Sequence, residues 1–254
     1  MKIYAVINQK GGVGKSTTAA TLWAGLNKRG YKALAVELDG QGNLAYIAKA
    51  NNGKGQLTAL SILTREATAE EAIQHTASGD VIAANKELAG ADDFIKTTGK
   101  EYRLKEALES VKGQYDYIII DTPPTLGILT INALTAADSV IIPVLADIFS
   151  IQGIDQLMET IAPVKIYCNP NLSIAGIIIG RYDNRTILTR ELTEFFKSLA
   201  DKIGTKLFKS SIRESITVKE AQLRQENIFD YAPKSNVTAD YNAFIDELLE
   251  EESN

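Results

Sequence analysis

The sequence contains little cysteine and no long apolar run, and both shortages exclude classes of function. Its 254 residues include one cysteine, Cys168, so neither an internal disulfide nor a thiolate-based zinc or iron–sulfur site can form within the chain. No apolar run approaches the ~18 residues that span a bilayer. The N-terminus enters an apolar stretch at Lys2 without a signal-peptide pattern. We therefore expect a cytoplasmic protein.

Linkers and internal repeats are also missing, which favours one domain over residues 1–254. Hydrophobic residues make up 45% of the chain, enough for a well-buried core. Short apolar runs alternate with stretches that have helical character, the pattern of a mostly parallel, twisted sheet with helices on both faces. The sequence therefore predicts an α/β fold. The predicted strands are 2–7, 31–36, 80–84, 115–120, 139–144 and 174–179.

Two local predictions concern the ends of helices. Thr68 and Glu71 have the spacing of a capping box, which predicts a short helix that continues through His75. We interpret His75 as a surface residue without a functional role. A further helix is predicted over residues 151–161, ending near Pro163.

The first predicted strand leads directly into a glycine cluster and then into an apolar helix. The cluster is Lys10-Gly11-Gly12-Val13-Gly14-Lys15-Ser16-Thr17. Glycines permit left-handed backbone and close approach, so the loop N–H groups can surround a phosphate at the positive end of the helix dipole. Lys15 is placed to reach the β- and γ-phosphates, and the Ser16 hydroxyl is placed to bind Mg²⁺. The segment therefore predicts a site for the phosphates of ATP.

The loop departs from the common phosphate-loop pattern, because Gln9 stands where the first glycine is expected and Lys10 follows it. Lys-Gly-Gly-Val-Gly-Lys-Ser is the deviant Walker A form and resembles the ParA/MinD family of P-loop ATPases. The resemblance runs from Lys2 to about Leu249. It implies a single-domain P-loop NTPase fold, ATP and Mg²⁺ as cofactors, and ATP hydrolysis. It also implies that Lys10 crosses a dimer interface to the nucleotide of the other subunit.

An acidic segment follows the second predicted strand. Glu37-Leu38-Asp39-Gly40-Gln41-Gly42-Asn43 resembles the first switch segment of the family. Asp39 matches the acidic position that the family uses to position water. Glu37 replaces the first aspartate and Gly40 replaces a proline. The first change alters the reach of the carboxylate and the second loosens the turn, so either could alter the hydrolysis rate.

A second acidic position ends the apolar run 115–120. This run suits a strand that is buried on both faces of a parallel sheet. It brings Asp121 to the same sheet edge as the phosphate loop, a Walker B arrangement in which the carboxylate holds Mg²⁺ directly or through water. The following Asp121-Thr122-Pro123-Pro124 and the helix after it resemble the second switch region of ParA-type ATPases. The resemblance thus implies Lys10, Lys15 and Asp39 as catalytic residues and Ser16 and Asp121 as metal ligands.

Residues 181–224 are basic in a chain whose net charge is −5. They contain ten basic and six acidic residues, a local charge of +4, which suits contact with a nucleic-acid backbone. Mixed charge on a solvated helical face is the alternative. Tyr182-Asp183-Asn184-Arg185-Thr186 resembles a family segment whose arginine contributes to non-specific DNA binding. Arg213 lies in a later segment that also resembles the family, where Ile216 replaces a basic residue that some relatives carry.

The primary hypothesis is a ParA-like partition ATPase that forms an ATP-bound homodimer and binds DNA without sequence preference. A centromere-binding, ParB-like adaptor would stimulate hydrolysis. With DNA binding we expect association with the nucleoid. We expect no membrane binding, because the acidic tail 240–254 lacks basic residues beside its apolar face. One alternative is a positioning ATPase that acts on a protein cargo. A weaker one is an amide or carboxylate ligase.

The segment Leu145-Ala146-Asp147 departs from the Gln-containing family pattern, with an effect that the sequence leaves open.

Overall fold

The computed structural model describes residues 1–183 and 187–252. Within them, eight strands form one sheet in the order β3-β4-β2-β5-β1-β6-β7-β8. The strands are β1 (Lys2–Val6), β2 (Ala33–Glu37), β3 (Gln74–Thr76), β4 (Gly79–Ile82), β5 (Tyr117–Asp121), β6 (Ser139–Leu145), β7 (Ser173–Tyr182) and β8 (Leu207–Arg213). Every pair of neighbours is parallel except β3 and β4. The predicted α/β class and mostly parallel sheet are confirmed.

Helices occupy most of the connections between these strands. The α-helices are α1 (Lys15–Lys28), α2 (Asn43–Ala48), α3 (Ala59–Thr64), α4 (Ala69–Ala72), α5 (Ala91–Phe94), α6 (Arg103–Leu108), α7 (Ile128–Ala136), α8 (Ile148–Tyr167), α9 (Ile187–Lys202), α10 (Ile216–Leu223), α11 (Ile228–Tyr231) and α12 (Asn236–Glu252). Short 3₁₀ turns cover Lys86–Gly90, Lys100–Tyr102 and Glu109–Val111. None of the described helices combines the length and the apolar composition that crossing a bilayer requires.

The sheet separates two apolar cores because successive side chains of a strand point to opposite faces. In β1, Ile3 and Ala5 pack in the core that includes residues of α3, α6, α7, α8 and α9. Tyr4 and Val6 pack in the core that includes α1, α2 and α12. Trp23 of α1 is fully buried there, and its Nε1 donates to the Ala33 carbonyl at 3.1 Å. Helices on both faces therefore bury the central strands.

The parallel register brings the functional segments to one edge of the sheet. Val6 and Glu37 both lie opposite Asp121, at the carboxyl ends of β1, β2 and β5. The first residues of β6, Ser139–Ile141, pair with Tyr4–Val6, so the rest of β6 extends beyond the carboxyl end of β1. Crevices at the carboxyl ends of parallel strands are where open α/β sheets bind ligands.

The predicted helix from Thr68 through His75 is wrong in its second half. The capping box forms, with the Thr68 side chain accepting from the Glu71 N–H, but α4 ends at Ala72. Residues Gln74–Thr76 instead pair with β4 as the antiparallel edge strand β3. His75 Nδ1 lies 2.7 Å from Asp80 Oδ1, and the His75 side chain is largely exposed. The backbone hydrogen bonds that β4 offers outweigh a weak local helical pattern.

The predicted helix end near Pro163 is also wrong. Helix α8 runs for 20 residues to Tyr167 and contains Pro163. The proline removes the hydrogen bond to the Glu159 carbonyl, but Glu159 and Pro163 are both exposed. Water can satisfy that carbonyl, so the helix continues.

Candidate functional site

The glycine loop is a turn between β1 and α1 that is fastened to the neighbouring strand. Gly12 and Gly14 have φ angles of 75° and 94°, in the left-handed region that favours glycine. The buried side chain of Asn8 donates from Nδ2 to the Pro143 carbonyl of β6 at 2.7 Å. Its Oδ1 accepts from the Lys10 N–H at 2.9 Å. Asn8 therefore fixes the start of the loop against the sheet.

Lys15 stands at the first position of α1, where the backbone N–H groups have no partner inside the helix. Its side chain is nearly buried, and Nζ donates to the Lys10 carbonyl at 3.2 Å. Burial lowers the pKa of Lys15, while the carboxylates of Asp121 and Asp39 oppose this shift. The loop thus combines free N–H groups with one enclosed ammonium, which is the chemistry of an anion site.

Asp121 ends β5 beside this ammonium and is completely buried. Neither carboxylate oxygen has a hydrogen-bond partner within the described residues. Burial raises the pKa of Asp121 to about 7, Asp39 adds to the shift, and the nearby Ser16 hydroxyl and Lys15 ammonium oppose it. Buried polar groups normally have partners, so these oxygens fit a hard cation such as Mg²⁺.

Glu37 caps a helix and is not directed to the phosphate loop. Its fully buried carboxylate accepts from the N–H groups of Leu44 at 2.6 Å, Ala45 at 3.3 Å and Ala84 at 3.1 Å. Two of these donors belong to the first turn of α2. Burial raises the pKa of Glu37 to about 8, Asp121 adds to the shift, and the three N–H donors oppose it. The longer side chain is therefore used to hold the segment that contains Asp39.

Asp39 lies on a tight turn at the mouth of the site. Its Oδ1 accepts from the Gln41 N–H at 3.0 Å, and its carbonyl accepts from the Gly42 N–H at 3.0 Å. A Cβ at Gly40 would lie 3.2 Å from the Asn85 carbonyl oxygen and 3.3 Å from the Ala89 nitrogen. Close packing against this neighbouring segment accounts for glycine at position 40.

A cleft of about 640 Å³ opens over the loop. Its lining includes Gly11, Gly12, Gly14, Lys15, Ser16, Thr17 and Asp39. An adjoining cavity of about 140 Å³ contains Val13 and the apolar side chains of Pro143, Ile178, Ile212, Val218 and Tyr241. A polar cleft joined to an apolar cavity has the form of a nucleotide site, with room for phosphates in one part and a base in the other.

Lys10 does not line the cleft. Its Nζ forms an ion pair with Asp147 Oδ2 at 2.5 Å and lies 5.7 Å from the centre of the Phe149 ring. Partial burial would raise the pKa of Asp147, but the Lys10 ammonium and the N–H and hydroxyl of Ser150 lower it overall. The extra lysine of the loop is thus held within its own subunit, next to the N-terminus of α8.

The two arginines predicted to bind DNA have different outcomes. Arg185 lies outside the described residues. Arg213 is bound to Asp240 through two contacts, from Nε to Oδ2 at 2.6 Å and from Nη2 to Oδ1 at 2.8 Å. Half of the Arg213 side chain is exposed, but its charge is paired.

Comparison with known proteins agrees with this geometry. A family model described as an AAA domain (AAA_31) matches residues 1–174. Sporulation initiation inhibitor protein Soj of Bacillus subtilis is 40% identical over 237 residues, which cover 92% of each chain. The chain belongs to the ParA/Soj family of P-loop ATPases. Within this family, chromosome partitioning protein ParA of Caulobacter vibrioides is 36% identical over 87% of this chain and 84% of that protein.

A solved structure extends the ParA/Soj comparison to the whole fold. Cobyrinic acid a,c-diamide synthase from Mycobacterium smegmatis, crystallised with ADP and magnesium, superposes with a TM-score of 0.87. The two sequences are 32% identical, and the match covers 100% of this chain and 96% of that one. The predicted family, P-loop NTPase fold and ATPase class are confirmed.

The sequence analysis missed three side chains that line both the cleft and the adjoining cavity. They are Arg181, Lys219 and Gln222. Gln222 Nε2 donates to Thr17 Oγ1 at 2.9 Å, and Arg181 adopts a left-handed backbone with φ of 52° near the end of β7. The rule that ligands bind at the carboxyl ends of parallel strands would have found Arg181. Lys219 and Gln222 belong to α10, which reaches the site only through tertiary packing.

Proposed function

We propose that the chain is a ParA-type partition ATPase that uses ATP and Mg²⁺ to form a sandwich dimer. One observation carries the proposal. The Asp121 carboxylate is buried beside the loop that presents Lys15, and neither of its oxygens has a hydrogen-bond partner among residues 1–183 and 187–252. A protein that binds only an anion gains nothing from such a carboxylate, whereas a metal–nucleotide complex requires both charges.

The residue roles follow from the positions of these groups. The N–H groups of residues 11–16 and the Lys15 ammonium would hold the phosphates. Ser16 and Asp121 would hold Mg²⁺, which neutralises phosphate charge when bound. Asp39 would position the attacking water. The adjoining cavity of about 140 Å³ would take the base.

The dimer part of the proposal depends on Lys10. Its ammonium lies outside the lining of its own subunit's cleft, and the exposed side chains of Ile148 and Phe149 lie next to Asp147 at the N-terminus of α8. An exposed apolar pair beside an ammonium suits a surface that a second subunit covers. We propose that Lys10 contacts the nucleotide of that second subunit.

DNA binding and an adaptor protein complete the proposal. The name of the Caulobacter relative is chromosome partitioning protein ParA, and the basic segment 181–224 supports contact with phosphates. We propose that the dimer binds DNA without sequence preference through this segment, including Arg185 and Arg213. A centromere-binding, ParB-like protein would then stimulate hydrolysis. Nucleoid association would follow from DNA binding.

A second candidate function comes from the Mycobacterium smegmatis structure, which is named as a diamide synthase. An amide-forming enzyme would hydrolyse ATP only with a carboxylate substrate and a nitrogen donor. Turnover that requires such a pair and ignores DNA would favour this alternative. Turnover that DNA and an adaptor increase would exclude it.

The test of the proposal compares the wild type with Lys10→Ala. With a non-hydrolysable ATP analogue and Mg²⁺, the wild type should dimerise in analytical ultracentrifugation and shift DNA in a salt-dependent manner. Lys10→Ala should bind the analogue with unchanged affinity but remain monomeric and lose the DNA shift. A monomeric wild type would refute the dimer, and a dimer without a DNA shift would favour the protein-cargo alternative.

A further inference from the structure

The two oxygens of the Asp147 carboxylate have separate tasks. Oδ1 caps α8 by accepting from the Ser150 N–H at 2.9 Å and the Ser150 hydroxyl at 3.1 Å. Oδ2 accepts from Lys10 Nζ at 2.5 Å. Because α8 is a helix of 20 residues that packs on the sheet, its cap has a fixed position. The carboxylate is therefore held rigidly at the place where it meets the lysine.

Lys10 is held at its backbone N–H, its carbonyl and its ammonium. Its N–H is fixed by Asn8 at 2.9 Å, its carbonyl accepts from Lys15 Nζ at 3.2 Å, and its ammonium contacts Asp147 and the Phe149 ring. The side chain is 28% exposed, so solvent reaches the ion pair without fully screening it. A move of the ammonium to an anion beyond the reach of its present position breaks the contact with Asp147.

We propose that Asp147 is a positioning residue that keeps Lys10 within its own subunit and thereby sets the protein concentration at which the nucleotide-bound dimer forms. This inference rests on the proposed function, in which Lys10 contacts the partner's nucleotide. An ammonium that leaves its own subunit for a phosphate of the partner gives up its contact with the Asp147 oxygen. The triphosphate carries more negative charge than one carboxylate, so the exchange proceeds when two loaded subunits meet.

The variant Asp147→Asn separates the two tasks of the side chain. Its amide oxygen can still cap α8, since asparagine caps helices about as well as aspartate. Its amide nitrogen stands in place of Oδ2 and cannot accept from an ammonium. With a non-hydrolysable ATP analogue and Mg²⁺, we expect the dimer Kd to fall about threefold for each released lysine, hence about tenfold for the dimer.

Two controls distinguish the lost ion pair from a disturbed helix end. Ser150→Ala removes the hydroxyl contact with Asp147 and keeps the ion pair, so its dimer Kd should equal that of the wild type. In a Lys10→Ala background, Asp147→Asn should leave the protein as monomeric as Lys10→Ala alone, because the substitution acts only through the released lysine. Thermal unfolding of the nucleotide-free proteins reports any loss of the helix cap.

The outcomes separate this inference from the proposed function. A fall in the dimer Kd that requires Lys10 supports it. A wild-type dimer whose Kd is unchanged or higher in Asp147→Asn overturns this inference alone and leaves the proposed function intact. If neither the wild type nor Asp147→Asn dimerises with the analogue, both proposals are overturned.

Discussion

The sheet edge that carries the phosphate loop and Asp121 differs from the basic segment 181–224 in whether its charged side chains have partners. At the edge, Asp121 is buried without a partner in the described part of the chain. In the basic segment, Arg213 pairs with Asp240. Lys206 and Glu247 lie 4.0 Å apart, and Lys219 and Glu214 lie 3.9 Å apart. One region leaves a charge for a ligand, while the other neutralises several of its own.

This difference shows which kind of charge indicates a ligand. A buried carboxylate whose oxygens lack hydrogen-bond partners is costly, so it persists where a ligand supplies them. An exposed charge costs little, and a neighbour of opposite sign can cancel it. The local charge of +4 in 181–224 is therefore weaker support for DNA binding than Asp121 is for metal–nucleotide binding.

The largest expected effect comes from replacing the carboxylate that lacks hydrogen-bond partners. Asp121→Asn should lower ATP turnover about a hundredfold or more, because the phosphates lose a fixed metal ligand. The free energy of unfolding of the nucleotide-free protein should not fall, because a neutral amide replaces a carboxylate that is costly to bury. Steady-state phosphate release and urea unfolding at pH 8 measure the two quantities.

Asp116→Asn is the matched control for that variant. Asp116 precedes the same strand at its opposite end and accepts from the Lys32 N–H at 2.8 Å. Its substitution should leave turnover unchanged. A marked loss of stability in Asp121→Asn would contradict the comparison, because it would show that the carboxylate has a structural partner.

Much of the phosphate-loop edge could be predicted because its signals are local in the sequence. The glycines, Lys15 and the strand that ends at Asp121 each occupy a short segment, and the parallel sheet brings those segments together. The role of Glu37 could not be predicted. Its three N–H partners include Ala84, which follows β4, and only the folded chain places that backbone beside it.

Two further features also depend on partners that local sequence patterns do not show. The edge strand β3 replaced a predicted helix because β4 offers it backbone partners. The pairing of Arg213 with Asp240 joins β8 to α12, across 27 residues of sequence. Charge counts along a sequence cannot include such partners.

A smaller effect on turnover is expected from Glu37, which supports the segment that contains Asp39. Glu37→Gln keeps the size of the side chain but offers one acceptor oxygen where two are used. We expect unfolding free energy to fall by about 1–2 kcal/mol, because a backbone N–H loses its partner. Turnover should fall about tenfold with little change in KM for ATP, because the segment carrying Asp39 loosens. An increase in KM with unchanged kcat would indicate that Glu37 acts on nucleotide binding instead.

The smallest effect tests the other side of the comparison, in the basic segment. Asp240→Asn should release the Arg213 charge and raise DNA affinity about twofold to threefold, with the salt dependence steeper by about one released ion. Asp246→Asn is the control, since Asp246 lies on the same helix but pairs with Arg29. The two variants change net charge equally. Equal gains in fluorescence anisotropy titrations would therefore show that only net charge matters, whereas a gain confined to Asp240→Asn would place Arg213 at the DNA surface.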